Sequence, residues 1–391
     1  MNKQNAKNLI EQELQKENPD WRLVESLSRG EVSQDPTNVR FSVDAGHIQR
    51  LGVELVGKKD TALSELIKNA FDADATEVNL SFENSKSVGG SLTISDNGSG
   101  MALDVIRNSW MRISTDTKAE QPLSPRYNRR RAGRKGIGRF AAAILGERVL
   151  LETTSNGLTT SLILDMEELD KVKYLDELEF EIETERTGKP NGTIIEIEKE
   201  NVLPDDVKAI WTSQQIRKLF VELRSLTAPE EVYKIASSQG FDIYHDSFDM
   251  ELVFGEFPVE EYSNRKVKIQ PFPVLDLYDY KISGKVDSKG HATLLFENQN
   301  VSSLPEEKIR LKIPLESRND FGYPGDIFID LRVYDRDPDS IENIIKRGLK
   351  DPDTGEFVGK IEARRILDEY YGVGVYREQF RIRPYGEQAF D

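Results

Sequence analysis

The feature that most constrains the fold is an amphipathic stretch around Glu65. Apolar residues recur at helical spacing over residues 62–71, and Thr61 stands where a helix N-cap would. Glu65, Asn69 and Asp72 are separated by four and then three residues, so a helix places them on one face. A carboxylate can accept a proton from water, and a carboxamide oxygen can bind a hard cation such as Mg2+. Taken alone, the stretch also fits an ordinary amphipathic helix with a polar outer face.

A strand that ends in a tight turn follows this helix at residues 92–101. Asp96 ends the strand, and Gly98, Gly100 and Met101 follow it. A carboxylate fixed at that point can accept a hydrogen bond from an exocyclic amine, while the glycines let the backbone approach a ligand closely. An Asx turn between a strand and a helix explains the same residues without a ligand.

Two further glycine-containing segments lie downstream. The loop at residues 133–140 contains Gly133, Gly136 and Gly138 and precedes an apolar helix at 141–145. Amides exposed by such a loop at a helix N-terminus bind phosphate oxygens, although the Walker A spacing is absent and a hinge fits too. The second segment, at 191–197, is a turn that leads through Thr193 into an alternating strand.

Together, the four segments resemble the motifs of the GHKL ATPases: gyrase B-type topoisomerase subunits, the ninety-kilodalton heat-shock chaperones, sensor histidine kinases and MutL-type mismatch-repair proteins. The E-x-x-x-N-x-x-D-A, D-x-G-x-G-M, G-x-x-G-x-G and G-T boxes occur in this order between Glu65 and Thr193. The resemblance implies an α+β fold. It would consist of a two-layer α/β sandwich of Bergerat type, a mixed sheet covered by helices, followed by a smaller α/β transducer domain with a ribosomal-protein-S5-like fold.

The resemblance also implies roles for individual residues. Glu65 would be the catalytic base, Asn69 the Mg2+ ligand, and Asp96 the acceptor of the adenine N6 amine, which selects ATP over GTP. Thr193 would join the hydrogen bonds around Asp96. The other implied nucleotide contacts are Asp72, Gly98, Gly100, Met101, Thr117, Lys118, Lys135, Gly136, Ile137, Gly138, Arg139 and Phe140. A basic residue of the second domain would contact the γ-phosphate, and the candidates are Arg377, Arg381 and Arg383.

Residues 109–139 have the composition of a loop and are expected to form the nucleotide lid. Seven basic residues lie in its last part, and no acidic residue falls between Gln121 and Gly146; the seven are Arg126, Arg129, Arg130, Arg131, Arg134, Lys135 and Arg139. We expect one or two of them to contact the triphosphate and the others to be solvated or to meet a partner. Phosphate contact is favoured over nucleic acid.

Composition limits the remaining possibilities. The net charge of −16 argues against a surface that wraps nucleic acid broadly. The absence of cysteine excludes disulfides and thiolate metal sites, and the three histidines are too far apart in sequence to indicate a zinc site. Neither a transmembrane run nor a signal peptide is evident, so we expect a cytoplasmic protein that makes no membrane contact.

The chain of 391 residues is long enough for two domains. We expect an N-terminal extension or arm at 1–40, an ATP-binding domain at 41–203 and a transducer-like domain at 204–391. Transducer domains usually run further, so we also expect the chain to be part of a longer protein.

The pattern of apolar residues predicts the main helices and strands. Helices are expected at 4–18, 41–58, 207–225, 341–349 and 360–370. Strands are expected at 77–82, 91–95, 180–184, 193–198, 248–254, 275–286, 291–296, 326–333 and, as one late strand, 376–384. A hairpin is expected at 149–165 around Asn156 and Gly157.

The function that we expect is an ATP-binding and slowly ATP-hydrolysing, Mg-dependent conformational switch. ATP would close the lid and join two copies of the chain, which would act on a protein or DNA client. The main alternative is a nucleotide-binding regulatory module without hydrolysis. A histidine kinase is disfavoured because only 64 residues precede Glu65, too few for the dimerising hairpin that carries the phospho-accepting histidine.

Overall fold

A computed structural model describes most of the chain. The described residues are 3–21, 23–25, 27–28, 43–44, 59–86, 90–112, 123–127, 129, 131, 142, 145–146, 148–165, 168, 171–172, 174–200, 211–226, 248–270, 274–314, 327–351, 355–369, 373–377 and 380–385.

One compact unit comprises residues 1–47 and 169–179. Its helix α1 spans Lys3–Leu14, and the Glu13 carboxylate accepts hydrogen bonds from Lys16 Nζ at 2.6 Å and from the Asp20 amide at 2.9 Å. Asp44 forms an isolated antiparallel bridge with Tyr174. The helix expected at 41–58 is therefore wrong at Asp44, whose backbone pairs with another segment, and its other residues except Val43 lie outside the described part.

The second unit, residues 48–168 and 180–391, contains two sheets. The first sheet has eight strands: β1 (Glu77–Glu83), β2 (Gly90–Asp96), β3 (Arg148–Ser155), β4 (Leu158–Asp165), β5 (Ile182–Arg186), β6 (Gly192–Glu200), β7 (Asp249–Phe254) and β8 (Lys266–Lys268). Their order is β5-β4-β3-β6-β2-β1-β7-β8. The β1–β7 pair is parallel and the other pairs are antiparallel, so the sheet is mixed as expected.

Two helices, α2 (Lys59–Asp72) and α4 (Ser213–Leu226), pack against this sheet through a common core. Between them in sequence, a short helix α3 (Leu103–Val105) continues into a π-helical turn at Ile106–Trp110. Phe82 of β1 stacks on Phe254 of β7 with centroids 5.1 Å apart, and Trp211 meets Phe82 edge-on at 5.5 Å. Such buried aromatic contacts stabilise the fold beyond the burial of their apolar area.

The second sheet has six antiparallel strands. They are β9 (Tyr280–Val286), β10 (His291–Asn298), β11 (Glu307–Lys312), β12 (Ile327–Val333), β13 (Val373–Arg377) and β14 (Phe380–Tyr385), in the order β11-β10-β9-β12-β13-β14. Helices α5 (Pro338–Lys346) and α6 (Lys360–Glu369) form a second apolar cluster with Val274 and Leu275. None of the described helices is both long and apolar enough to cross a membrane.

The expected α+β class and helix-covered mixed sheet are confirmed. Most predicted strands are present, including the hairpin, where Asn156 (φ 53°) and Gly157 (φ 76°) form the turn. The S5-like assignment and the boundary at 203–204 stay predictions; β7 and β8, which follow that boundary, pair into the first sheet.

Two strand predictions are wrong in detail. The segment expected as one late strand at 376–384 is instead part of a hairpin of β13 and β14. The sequence did not predict a hairpin, because the residues between the two strands include no Gly, Asn or Pro that would mark a turn. The strand expected from Leu275 begins only at Tyr280, because a 3-10 turn at Leu275–Leu277 precedes it.

Candidate functional site

Helix α2 presents two of the predicted site residues on its accessible side. Its buried side includes Leu63, Ile67 and Phe71, whereas Glu65 and Asn69 are half-exposed, one turn apart. Asp72, which follows on the same predicted face, is buried. A carboxylate and a carboxamide are thus accessible together where the sequence predicts a base and a metal ligand.

Glu65 forms an ion pair within its own helix. Lys68 Nζ lies 2.8 Å from Glu65 Oε1, and the two side chains are 27% and 29% exposed. This contact was not among the sequence-based predictions, although a lysine three residues after a glutamate on a helix is a sufficient signal for it.

Asp96 lies at the end of β2, directly opposite Thr193 of β6. Its Oδ1 accepts a hydrogen bond from the Gly98 amide at 2.8 Å, and the Thr193 amide also donates to the carboxylate. The residue is half-buried, and the surrounding protein desolvates the carboxylate, which raises its pKa to about 6. The two backbone hydrogen bonds oppose this shift. Among the described residues no cation pairs with Asp96.

The two glycines after Asp96 have a structural reason within the fold. A Cβ on Gly98 would lie 2.6 Å from the Ala73 carbonyl oxygen, just beyond helix α2. A Cβ on Gly100, where φ is +64°, would lie 1.9 Å from the Thr154 carbonyl oxygen. Glycine therefore lets this turn pack closely against both the end of α2 and strand β3, in addition to any approach of a ligand.

Thr153 of β3 connects the turn to Thr193. The Met101 amide donates to Thr153 Oγ1 at 2.8 Å, and the same hydroxyl is 3.1 Å from Thr193 Oγ1. Thr153 is fully buried, and Met101 packs near Leu151 and Leu162. Thr153 could not be identified from the sequence, because a threonine in an alternating strand carries no signal that distinguishes it from other strand residues.

The turn is also attached to the chain that leaves helix α2. The Ser99 amide donates to the Ala73 carbonyl at 2.7 Å. Asn97 Oδ1 accepts hydrogen bonds from the amides of Thr76 and Glu77 at 2.7 and 3.0 Å. The segment that carries Asp96 and the helix that carries Glu65 and Asn69 are therefore held in a fixed relation.

A second segment is attached to the same end of α2 through Asp74. This buried residue has φ 63°, a left-handed conformation that aspartate tolerates better than most residues. Its carboxylate accepts hydrogen bonds from Ser124 Oγ at 2.5 Å, from the Arg126 amide at 2.8 Å and from the Tyr127 amide at 3.2 Å. Asp74 thus fixes residues 124–127, which precede the glycine-rich loop in sequence.

Arg129 reinforces this attachment from the other side. Its buried guanidinium donates to the carbonyl oxygens of Phe71 at 3.1 Å and Ala75 at 2.6 Å, and it lies 4.4 Å from the Phe71 ring centroid. A cation at the C-terminal end of a helix also interacts favourably with the helix dipole. Arg129 belongs to the basic run for which the sequence predicts phosphate contact, solvation or a partner, whereas in the structure it caps helix α2.

The structure thus places Glu65 and Asn69 on α2. It groups Asp96, Gly98, Gly100, Met101 and Thr193 at the turn after β2, and this turn is attached to the end of α2. Of the other predicted contacts, Asp72 is buried on α2, and the rest lie outside the described residues: Thr117, Lys118, Lys135, Gly136, Ile137, Gly138, Arg139 and Phe140. The γ-phosphate candidates lie on the β13–β14 hairpin, Arg377 on β13 and Arg381 and Arg383 on β14. Their role stays a prediction.

Comparison with known families agrees with this arrangement. Residues 58–193 match the family model described as histidine kinase-, DNA gyrase B- and HSP90-like ATPase. The matched range starts just before α2 and ends at Thr193, so it contains every element of the site described above. No curated protein matches the sequence. Residues 58–193 therefore match the ATPase domain of the GHKL superfamily.

Proposed function

We propose that the chain is a Mg-dependent ATPase that works as a slow conformational switch. The observation that carries this proposal is Asp96, a largely desolvated carboxylate without a described cationic partner. A desolvated carboxylate without a cationic partner reduces the stability of the fold, so its presence at a half-exposed position indicates a function. The function that fits is to accept a hydrogen bond from the adenine N6 amine.

Glu65 and Asn69 would have different roles near the phosphates of ATP. The Glu65 carboxylate would orient the attacking water and accept its proton, while the Asn69 oxygen would hold Mg2+. The half-exposed positions of both side chains leave them accessible to these groups. Mg2+, when bound, neutralises the charge of the phosphates. Residues of the glycine-rich loop, Gly136 and Gly138, would supply amides to the phosphate oxygens.

Nucleotide binding would then change the association of the chain. We propose that ATP closes the segment at 109–139 over the nucleotide and favours a homodimer, which acts on a protein or DNA client. The attachment of residues 124–127 and of Arg129 to the end of α2 supports a link between the nucleotide and this segment, because the turn that carries Asp96 is attached to the same end of α2. We further propose that it acts in the cytoplasm.

Release of inorganic phosphate from ATP tests the proposal directly. The chain should release phosphate slowly and only with Mg2+, and Glu65→Gln should reduce the rate while leaving ATP binding measurable. Glu83→Gln, which removes an exposed carboxylate at the far end of β1, is the control and should behave as the wild type. ATP binding without phosphate release by the wild type would contradict hydrolysis but not binding.

The ion pair of Glu65 with Lys68 favours one alternative. A base that stays paired is less available to water, which is what a nucleotide-binding module without hydrolysis would show. The same phosphate-release measurement separates the two candidates.

A further inference from the structure

Each of the two sheets of the second unit has an edge strand in which one sign of charge predominates, and the sign differs between the two strands. Strand β5 forms one edge of the eight-stranded sheet, and β11 forms one edge of the six-stranded sheet. Edge strands expose unpaired backbone groups that can pair with another strand. Both edges are described completely, so their side chains can be compared position by position.

On β11 the cations alternate with aliphatic residues. Lys308, Arg310 and Lys312 point to one face and are exposed, and no carboxylate pairs with any of them in the described structure. Leu311 and Ile313, on the opposite face, are 45% and 38% exposed. Alternate residues of a strand are about 7 Å apart, so the three cations form a regular row.

On β5, Glu183 and Glu185 alternate with Ile182, Thr184 and Arg186, and Phe180 and Glu181 directly precede the strand. Glu181, Glu183 and Glu185 are exposed, and Phe180 and Ile182 are half-buried. Glu185 also interacts electrostatically with Lys189, which itself pairs with Glu152. The period of two gives the same spacing as on β11.

We propose that β5 of one copy of the chain pairs with β11 of a second copy, so that copies associate head to tail. In an antiparallel register Lys308 faces Glu185, Arg310 faces Glu183 and Lys312 faces Glu181. The same register places Leu311 opposite Ile182 and Ile313 opposite Phe180. Opposite charges and apolar groups that face each other across two strands stabilise the pair.

The signs of the charges select this pairing over the others. Charged residues on an edge strand commonly oppose pairing between edges. Here two β5 strands would place glutamates together and two β11 strands would place cations together, whereas the unlike pair is complementary. Since the two surfaces differ, the interface is heterologous and can extend beyond a dimer. It needs no nucleotide, which distinguishes it from the proposed ATP-dependent dimer.

Sedimentation of the nucleotide-free chain at low salt tests the association. The wild type should form dimers and larger species as its concentration rises, and high salt should dissociate them because exposed ion pairs are screened. Lys308→Glu with Arg310→Glu should give a monomer, as should Glu183→Lys with Glu185→Lys. All four substitutions in one chain should restore the association. The control, Arg217→Glu with Lys218→Glu, reverses two exposed cations on helix α4 and should leave the association unchanged.

Disulfide trapping tests the register. The chain has no cysteine, so a mixture of Leu311→Cys and Ile182→Cys variants should form a covalent heterodimer while all six charges are retained. Opposite residues of paired strands are close enough for a disulfide. A mixture of Leu311→Cys and Val267→Cys should form far less. A wild type that stays monomeric at every concentration, or equal trapping in both mixtures, would overturn the proposal.

Discussion

Lys68 Nζ lies 2.8 Å from Glu65 Oε1, so a lysine pairs with the expected catalytic base inside one helix turn. Both side chains are more than a quarter exposed, and ion pairs of this kind contribute about 0–1 kcal/mol. Such a pair is weak enough to open when the site is rearranged, yet it occupies one oxygen of the base.

Replacing Lys68 should therefore free Glu65 rather than damage the site. We expect Lys68→Gln to raise the rate of phosphate release by up to about fivefold, the rate equivalent of an ion pair of this strength, with unchanged ATP affinity. Steady-state phosphate release measures the rate, and Lys86→Gln, an exposed lysine after β1, is the control. A loss of ATP affinity would show that Lys68 itself binds the nucleotide.

Glu65 and Asn69 share a helix face but should fail in different ways. Glu65→Ala should reduce turnover by about 10²–10⁴-fold, the usual contribution of a general base, and keep ATP affinity. Asn69→Ala should lose affinity for ATP with Mg2+, because it removes the proposed ligand of the cation. Calorimetry beside phosphate release checks both. Equal loss of ATP by the two variants would contradict this division of roles.

Asp74 should matter for stability as well as for the site. Asp74→Ala leaves the buried Ser124 Oγ and two part-buried amides without their acceptor, and the unsatisfied buried donor alone costs about 1–3 kcal/mol. Chemical denaturation should show at least that loss, and hydrogen exchange of residues 124–127 should accelerate. Asp104→Ala, an exposed carboxylate at the start of α3, should change neither.

The raised pKa of Asp96 predicts a pH dependence of folding. The folded chain holds this proton up to a pH of about 6, whereas the ordinary value is 3.8, so the folded state binds more protons between these values. Stability attributable to Asp96 therefore falls as pH rises from about 4 to 6, by at most about 3 kcal/mol. Below pH 4 the charge of Asp96 should cause no difference in the free energy of unfolding between Asp96→Asn and the wild type. At pH 7 the variant should be more stable. Denaturation of both proteins across this range checks the difference; a constant difference would contradict it.

The same titration should appear in binding. The ionised carboxylate is the stronger acceptor for the adenine amine, because charge-assisted hydrogen bonds are stronger than neutral ones. ATP affinity of the wild type should decrease as pH falls through about 6, measured by calorimetry. An affinity that does not change over that range would indicate that Asp96 does not contact the base.

The sequence predicts the elements of the site better than their attachments. The spacing of Glu65, Asn69 and Asp96 within periodic segments identifies helix α2, strand β2 and the turn, since local patterns encode local structure. Thr153, Asp74 and Arg129 act through partners 40 or more residues away, as in the contacts Thr153–Thr193 and Arg129–Ala75. No local pattern encodes such pairings, so they become evident only when the sheet and the helix end are assembled.

The second sheet shows the same limit at a larger scale. Its strands follow their apolar alternation, but the order that places β11 and β14 at its edges depends on pairings between distant segments. The alternation of charges on β5 and β11 is plain in the sequence. Its meaning depends on both strands being edges, which only the topology provides.

Calorimetric titration of Asp96→Asn with ATP and Mg2+ is the most direct test of whether Asp96 binds the adenine base. The variant keeps an oxygen that can accept the Gly98 amide, so it should fold, and its stability at pH 7 provides the check. It presents an amide group in place of the second carboxylate oxygen, so the adenine amine loses its acceptor. We expect Asp96→Asn to lose about 100-fold or more in ATP affinity and Asp104→Asn to bind ATP as the wild type does. A folded Asp96→Asn variant that binds ATP as tightly as the wild type would contradict it.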